Sequence, residues 1–198
     1  AQWAVAVSSS SRIDEINILQ ATLEAMRYAV QSIIAFSSCT IENGGFRREK
    51  KASSKIDGCY VVYGMNDDKG NPIEFDKGYN EEMLGCSYTY HALIDGNKVP
   101  KEMPCEAESM VKGDSKEYAI AAASIIAKVT RDRLMHEYDA MYPDYNLSQH
   151  KGYPTAAHMA KVREIGATVI HRRTFAPLKF MVFDDDGNII EESADKKK

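Results

Sequence analysis

The chain has 198 residues, 44% of them hydrophobic and 27% charged, and a formal net charge of −4. That is the balance of one globular domain with enough length for a core, and the negative charge argues against non-specific nucleic-acid affinity of the whole molecule while leaving a local basic patch open. No apolar run approaches the roughly 18 residues a membrane helix needs. No secretory leader is read at the start, which is Ala1 and not Met. Cys39, Cys59, Cys86 and Cys105 are scattered, with no CxxC pair and no histidine at zinc spacing. They are expected to be reduced thiols of an intracellular, cytoplasmic protein.

Residues 1–7, Ala-Gln-Trp-Ala-Val-Ala-Val, suit a short strand, and Ser8 to Ser11 a polar turn. Ser11 followed by Asp14 has the form of a helix-starting cap, with the acid at the favourable end of the dipole. Ile16, Leu19, Leu23, Met26, Val30 and Ile33 recur at helical spacing and predict an amphipathic helix over 13–34. Asn17, Gln20 and Thr22 on its first turns read as solvated surface.

From about Ser37 to Tyr90 the character changes. Gly44-Gly45, the basic run Arg47-Arg48-Glu49-Lys50-Lys51 and Ser53-Ser54 read as an exposed insertion, not a second domain. Inside it Cys59–Tyr63 is a strand candidate, with a turn at 66–70 and a returning strand at 71–75. The basic run reads first as a solvated loop and only second as a phosphate contact.

His91-Ala-Leu-Ile-Asp95 is a short apolar strand ending in an acid, followed by a Gly96-Asn97 turn. Sheets of α/β proteins gather ligands at the carboxyl ends of their strands, so Asp95 is placed for chemistry. Asp-Gly is also an everyday turn. Glu106 to Asp114 suggests a further strand ending at Gly113-Asp114. A helix from about Ser115 to Met141 stops before Pro143. Its segment 119–132 is dense in alanine and isoleucine, which predicts a helix packed on most of its circumference. Lys128, Arg131 and Asp132 stand on its later turns. Lys128 and Asp132 are four apart and can form an intrahelical pair; alternatively Asp132 points into a polar cleft and binds a cation.

His150-Lys-Gly-Tyr-Pro-Thr155 is a loop in which Thr155 caps a short helix, 156–165, closed by Gly166. From His150 to Lys179 six Lys/Arg (151, 161, 163, 172, 173 and 179) stand against one acid, Glu164, a net +5 inside a chain of −4. Interleaved with Tyr153 and Phe175, that segment suits a groove for a phosphate backbone. Residues 178–191 predict a terminal hairpin around Asp184–Asn188, and the tail to Lys198 is expected to fray.

Taken together, these segments resemble the ribonuclease HII (type 2 ribonuclease H) family. Ile120–Asp132 is similar to the family's signature helix almost letter for letter. His150–Thr155, His158, and His171-Arg-Arg-Thr-Phe175 with Pro177 resemble its carboxyl-terminal motifs in order and spacing. Leu93–Pro100 resembles the strand bearing its third acid, and Ile16–Thr22 with Ala25-Met26 its middle helix. The resemblance covers roughly 1–34 and 91–179. It implies an α/β ribonuclease H-like fold, a mixed sheet flanked by helices with a helical carboxyl-terminal part. By the same token 1–179 is a partial catalytic domain with an insertion at about 37–90, and 180–198 a hairpin and tail.

The function implied is cleavage of RNA in RNA–DNA hybrids and incision 5′ to ribonucleotides in duplex DNA, by a monomer with no membrane attachment. The family holds Mg²⁺ or Mn²⁺ with four carboxylates, and Asp95 and Asp132 match two of them as catalytic, metal-binding residues. Hard cations want oxygen ligands, in keeping with acids in place of a His/Cys cluster. Tyr153 matches the tyrosine that packs on the sugar beside the ribonucleotide. Lys151, Lys128, Arg131, Asn17, Thr22 and Arg172 are matched as phosphate contacts or site support. The family's Asp-Glu and Val-Gly-Arg-Gly motif, which supplies the other two acids, is absent from this sequence. The chain is therefore expected to be an amino-terminally incomplete version of that fold, and a catalytically inactive duplex-binding fragment is the alternative. A bland α/β domain that keeps these motifs only as packing is the third reading.

Overall fold

Alternating Trp3, Val5 and Val7 make a half-buried strand, β1 (Gln2–Ser8), with Val5 buried. The computed structural model describes residues 2–38, 59–65 and 89–192. β1 pairs antiparallel with β2 (Cys59–Met65) in an unbroken register from Gln2↔Met65 to Ser8↔Cys59. The strand predicted inside the insertion therefore exists, and its observed partner is the first strand. The returning strand at 71–75 and the turn at 66–70 lie outside the described residues, as do the basic run and the Gly44-Gly45 loop.

Ser9 lies just ahead of α1 (Ser10–Ser38), its hydroxyl accepting the Arg12 N–H at 3.1 Å. The cap is thus Ser9 and not the predicted Ser11. Nor is the helix continuous: Asn17 takes φ 67°, ψ 163° and breaks it. Asparagine tolerates positive φ better than most residues, but this ψ belongs to a region otherwise almost confined to glycine. Hydrophobic spacing runs through the break undisturbed, so periodicity could not reveal it.

Two compact units divide the chain, residues 1–8 with 18–126 and residues 9–17 with 127–198. In the first, β3 (His91–Asp95) pairs in parallel with β4 (Glu106–Met110), from His91↔Glu106 to Asp95↔Met110. Val5, Ala21, Tyr28, Ala92, Ile94 and Ile120 are its buried apolar residues. The predicted strand ends earlier than expected, at Met110; Gly113–Ser115 is a 3-10 turn leading to α2 (Tyr118–Met141).

The second unit holds α3 (Leu147–His150), α4 (Ala156–Ile165) and the antiparallel pair β5 (Met181–Phe183) and β6 (Ile189–Glu192). Tyr145, Leu147, Val162, Ala167, Leu178 and Met181 form its core. Burying each of the leucine, valine and methionine side chains contributes roughly 1.5–3 kcal/mol. Two glycines let backbones touch there. Gly166 follows α4 at φ 87°, and a Cβ on it would lie 2.5 Å from the Gly187 carbonyl oxygen. The Ala167 N–H reaches that same oxygen at 2.8 Å.

Among the described residues the strands thus form three two-stranded sheets, one parallel and two antiparallel. One expectation fails at α2. Ile120 is buried, but Ile125 is 64% and Val129 43% exposed. Alanine and isoleucine density reports helix propensity and a capacity for burial; it does not guarantee a layer to be buried against. No helix among the described residues is long and apolar enough to cross a membrane.

Candidate active site and nucleic-acid interface

In the first unit, β3 delivers Asp95 at its carboxyl end, where the parallel pairing with β4 stops. The Gly96 N–H closes the pair onto the Met110 carbonyl at 3.0 Å. The Gly113 N–H donates to Asp95 Oδ1 at 2.9 Å. Gly113 is buried, and a Cβ there would sit 2.5 Å from Ile120 Cδ1 and 3.4 Å from Asp95 Oδ1. A glycine is needed here for close approach, to let the backbone reach the carboxylate. One oxygen of Asp95 is so fixed by the fold, and the side chain remains exposed.

In the second unit, Asp132 receives Lys128 Nζ on both carboxylate oxygens, at 3.1 and 3.0 Å. Hydrogen bonding from Lys128 holds the Asp132 carboxyl below its ordinary range, helped by the charges of Lys128, Lys151 and Arg131. The intrahelical pair is therefore the arrangement present. Arg131 reaches across to the Lys151 carbonyl at 3.0 Å. Lys151, at φ 52°, turns its ammonium to His136 Nε2 at 2.9 Å and also donates to the Ser148 carbonyl. Lys128, Arg131 and Lys151, all candidates for phosphate contact or site support, lie together at Asp132 and the start of the 150–155 loop.

That loop is shaped by two successive positive-φ residues, Lys151 and Gly152. The Tyr153 N–H returns to the His150 carbonyl at 2.9 Å, and the Tyr153 side chain is left 66% exposed. Thr155 caps α4 as expected, its hydroxyl accepting the His158 N–H at 3.2 Å. Arg172 lies with its guanidinium 4.9 Å over the Phe175 ring, and its buried Nε has no hydrogen-bond partner among the described residues. Asn17 stands at the break of α1, and the Thr22 hydroxyl donates to its own helix at the Ile18 carbonyl, 2.7 Å away.

Two parts of this surface escaped the sequence reading. Asp14, read as a dipole-favoured acid, accepts the Arg173 N–H at 2.7 Å, the Thr174 N–H at 3.3 Å and the Thr174 hydroxyl at 2.5 Å. Against the 150–155 loop, the loop's own His150 packs with His158 and His171, His150 stacking on His158 at 4.2 Å between centroids. Their positions, 150, 158 and 171, follow no helix-face or metal-ligand spacing, so no local signal marks them as a cluster.

A model of the family described as ribonuclease HII matches residues 82–180, half of the chain. The chain belongs to the ribonuclease HII family. It is 37% identical to the ribonuclease HII of Xanthomonas oryzae pv. oryzae over 177 residues, 89% of this chain and 50% of that protein. With the ribonuclease HII of Polynucleobacter necessarius it shares 38% identity over 177 residues, 89% of this chain and 65% of the relative. With that of Marinomonas sp. the identity rises to 53%, over 89 residues that make up 45% of each chain. The chain thus spans about half to two thirds of the length of these curated relatives.

The α/β, ribonuclease H-like fold class goes with family membership. The match over 82–180 takes in both acids, the 150–155 loop and the Arg172 segment, while Asn17 and Thr22 fall outside it. For a divalent metal of the kind ribonucleases HII are expected to use, the donor type of Asp95 and Asp132 is suitable, being hard carboxylate oxygen. The donor number is not. Among the described residues no three His, Cys, Asp or Glu side chains stand together as ligands. The described residues therefore present no complete metal site.

Proposed function

We propose that this ribonuclease HII family member hydrolyses the RNA strand of RNA–DNA hybrids and incises duplex DNA on the 5′ side of an embedded ribonucleotide. The observation that carries the reading is the family match over 82–180, because that span holds Asp95, Asp132, Lys151, Tyr153 and Arg172. Asp95 and Asp132 are assigned as two oxygen ligands of Mg²⁺ or Mn²⁺. A divalent ion at such a site lowers the pKa of a bound water and neutralises charge on the phosphate. Lys128 screens Asp132 until then, and being 72% exposed itself it can yield to a doubly charged ion or turn to a phosphate. The exposed Tyr153 ring is assigned to the sugar next to the ribonucleotide, where a flat apolar face suits deoxyribose and the 2′-OH marks the ribose. Lys151, Arg131 and Arg172 are assigned to the flanking phosphates, with Asn17 and Thr22 as outlying support. The protein is proposed to act inside the cell as a monomer.

A second reading, a duplex-binding chain without cleavage, is favoured by one observation: Asp132 is closed by Lys128 while the basic loop is fully formed. A nicking assay on a duplex containing one ribonucleotide, with Mg²⁺ and then Mn²⁺, separates the two. A cut on the 5′ side, abolished in Asp95→Asn and in Asp132→Asn with binding retained, supports the enzyme. Binding without a cut under either ion supports the second reading. Replacing Arg172 by Gln should weaken binding to all duplexes alike and flatten the slope of log affinity against log salt by about 1.

A further inference from the structure

The buried His158 and the half-buried His171 are joined in a chain whose polarity is set at both ends. At one end the Thr168 backbone N–H, which can only donate, meets His171 Nδ1 at 3.1 Å. His171 Nδ1 must therefore be the unprotonated nitrogen, and its Nε2 carries the hydrogen. That Nε2 faces His158 Nε2 at 3.1 Å, so His158 accepts there and carries its hydrogen on Nδ1. At the other end His158 Nδ1 meets the Tyr153 carbonyl, which can only accept, at 3.0 Å. Starting from either end gives the same two tautomers.

We infer that His171 and His158 are positioning residues for Tyr153: a neutral relay, Thr168 N–H to His171 to His158 to the Tyr153 carbonyl, fixes the loop so that the exposed ring is presented to the nucleic acid. The inference rests on the proposed contact of Tyr153 with the sugar. Its geometry is specific to neutral rings. A proton added to His158 would set its Nε2–H against that of His171 across 3.1 Å, and a proton added to His171 would set its Nδ1–H against the Thr168 backbone N–H at 3.1 Å. Burial works in the same direction, with His158 only 4% exposed. Burial pushes the His158 pKa below its ordinary value, and burial followed by the neighbouring His158 lowers that of His171 to about 4. The titratable and charged groups facing the pair are His150, Tyr145 and Arg173. His150 is itself held, donating from Nε2 to the Tyr145 carbonyl at 2.8 Å and accepting the Gly152 N–H on Nδ1 at 3.2 Å. The three rings thus grip the loop at Gly152 and at Tyr153, on either side of one peptide bond. Tyr153 is aimed from below.

Long-range ¹H–¹⁵N NMR of the full chain near neutral pH reads the tautomers directly. His158 is expected to be protonated at Nδ1 alone and His171 at Nε2 alone; the opposite tautomers, or a charged ring, would overturn the relay. Binding by fluorescence anisotropy then tests its purpose, as the ratio of affinities for a duplex with one ribonucleotide and for the all-DNA duplex. His158→Ala is expected to lower that ratio about fivefold or more, as loss of a buried hydrogen bond would, with all-DNA affinity unchanged. His158→Asn places an amide N–H where Nδ1 stood and is expected to restore the ratio to within about twofold. If Tyr153→Ala lowers the ratio and a folded His158→Ala does not, the relay does not aim the ring, and the inference fails while the Tyr153 contact stands. If Tyr153→Ala leaves the ratio unchanged, the contact itself fails and the aim has no object. Should His158→Ala not fold, the NMR measurement on the unaltered chain and the His158→Asn ratio decide the matter.

Discussion

At Asp95 two demands meet on one carboxylate. Its Oδ1 satisfies the buried Gly113 N–H, and what remains of its lone pairs faces outward from the end of β3. Asparagine keeps an acceptor in place of Oδ1 and loses the charge, whereas alanine loses both. Asp95→Asn should therefore unfold near the urea midpoint of the unaltered protein, and Asp95→Ala should be about 1 kcal/mol less stable, the worth of one hydrogen bond. Equal midpoints for the two variants would show that Gly113 finds another partner and that Asp95 is free of structural duty. Asp132 differs. Its partner Lys128 lies on the same helix and is largely exposed, so the pair is held within one element. The two acids therefore come to the proposed chemistry with different constraints, one anchored by backbone and one by a displaceable cation.

The Arg172 segment shows how elements are joined at the next scale. Residues 171–175 make no regular structure, yet Asp14 on the first turns of α1 binds two of their backbone N–H groups and a hydroxyl. The Ser10 hydroxyl adds a bond to the Val169 carbonyl at 2.8 Å. Asp14→Ala is expected to cost about 1–3 kcal/mol and to speed amide exchange at Arg173 and Thr174 at least tenfold. Unchanged exchange there would mean the segment holds itself. At the start of α4, Thr155→Ala removes a cap and should cost about 1 kcal/mol, read from thermal unfolding. Both variants act on the frame of the basic surface and leave its charges untouched.

For the whole molecule, the imidazoles of His158 and His171 are expected to lead the loss of stability in acid. His171, lowered to about 4, and His158, also lowered, are neutral when folded and take up protons more readily when unfolded. In the interval between the folded value and the ordinary 6.5 the unfolded chain binds more protons, so stability must rise with pH there. It is complete above about pH 6.5 and falls as the pH drops toward 4, by on the order of 3 kcal/mol for His171. The carboxyls of Asp132, Asp139 and Asp184 are held low by hydrogen bonds, first from Lys128, Ser148 and Asn188 respectively. Their contribution is lost below about 3.8, at lower pH than that of the histidines. Urea unfolding at a series of pH values should show the first loss shrink in His171→Gln to the part His158 contributes; a profile flat from 7 to 4.5 in the unaltered protein would contradict neutral rings at 158 and 171.

Much of this was legible wherever a local rule and the global fold agree. The apolar run ending at Asp95, Thr155 before α4, Gly166 after it, the stop before Pro143 and the hairpin around 184–188 each follow from backbone and side-chain chemistry within a few residues. The pairing of β1 with β2 was not legible, because partners distant in sequence are chosen by hydrogen-bond ladders that no turn announces. Nor was the break at Asn17, a backbone strain that leaves hydrophobic spacing intact, nor the exposure of Ile125 and Val129, which depends on what lies beside α2. The sequence by itself determined the family and offered Asp95, Asp132 and the basic, aromatic 150–155 loop as its candidates, since those reside in residue identity and order. Only the tertiary structure decided that Lys128 closes Asp132, that Asp14 holds the Arg173 segment, and that three histidines stand under Tyr153. Those are contacts across space, set by which groups burial forces to find a partner.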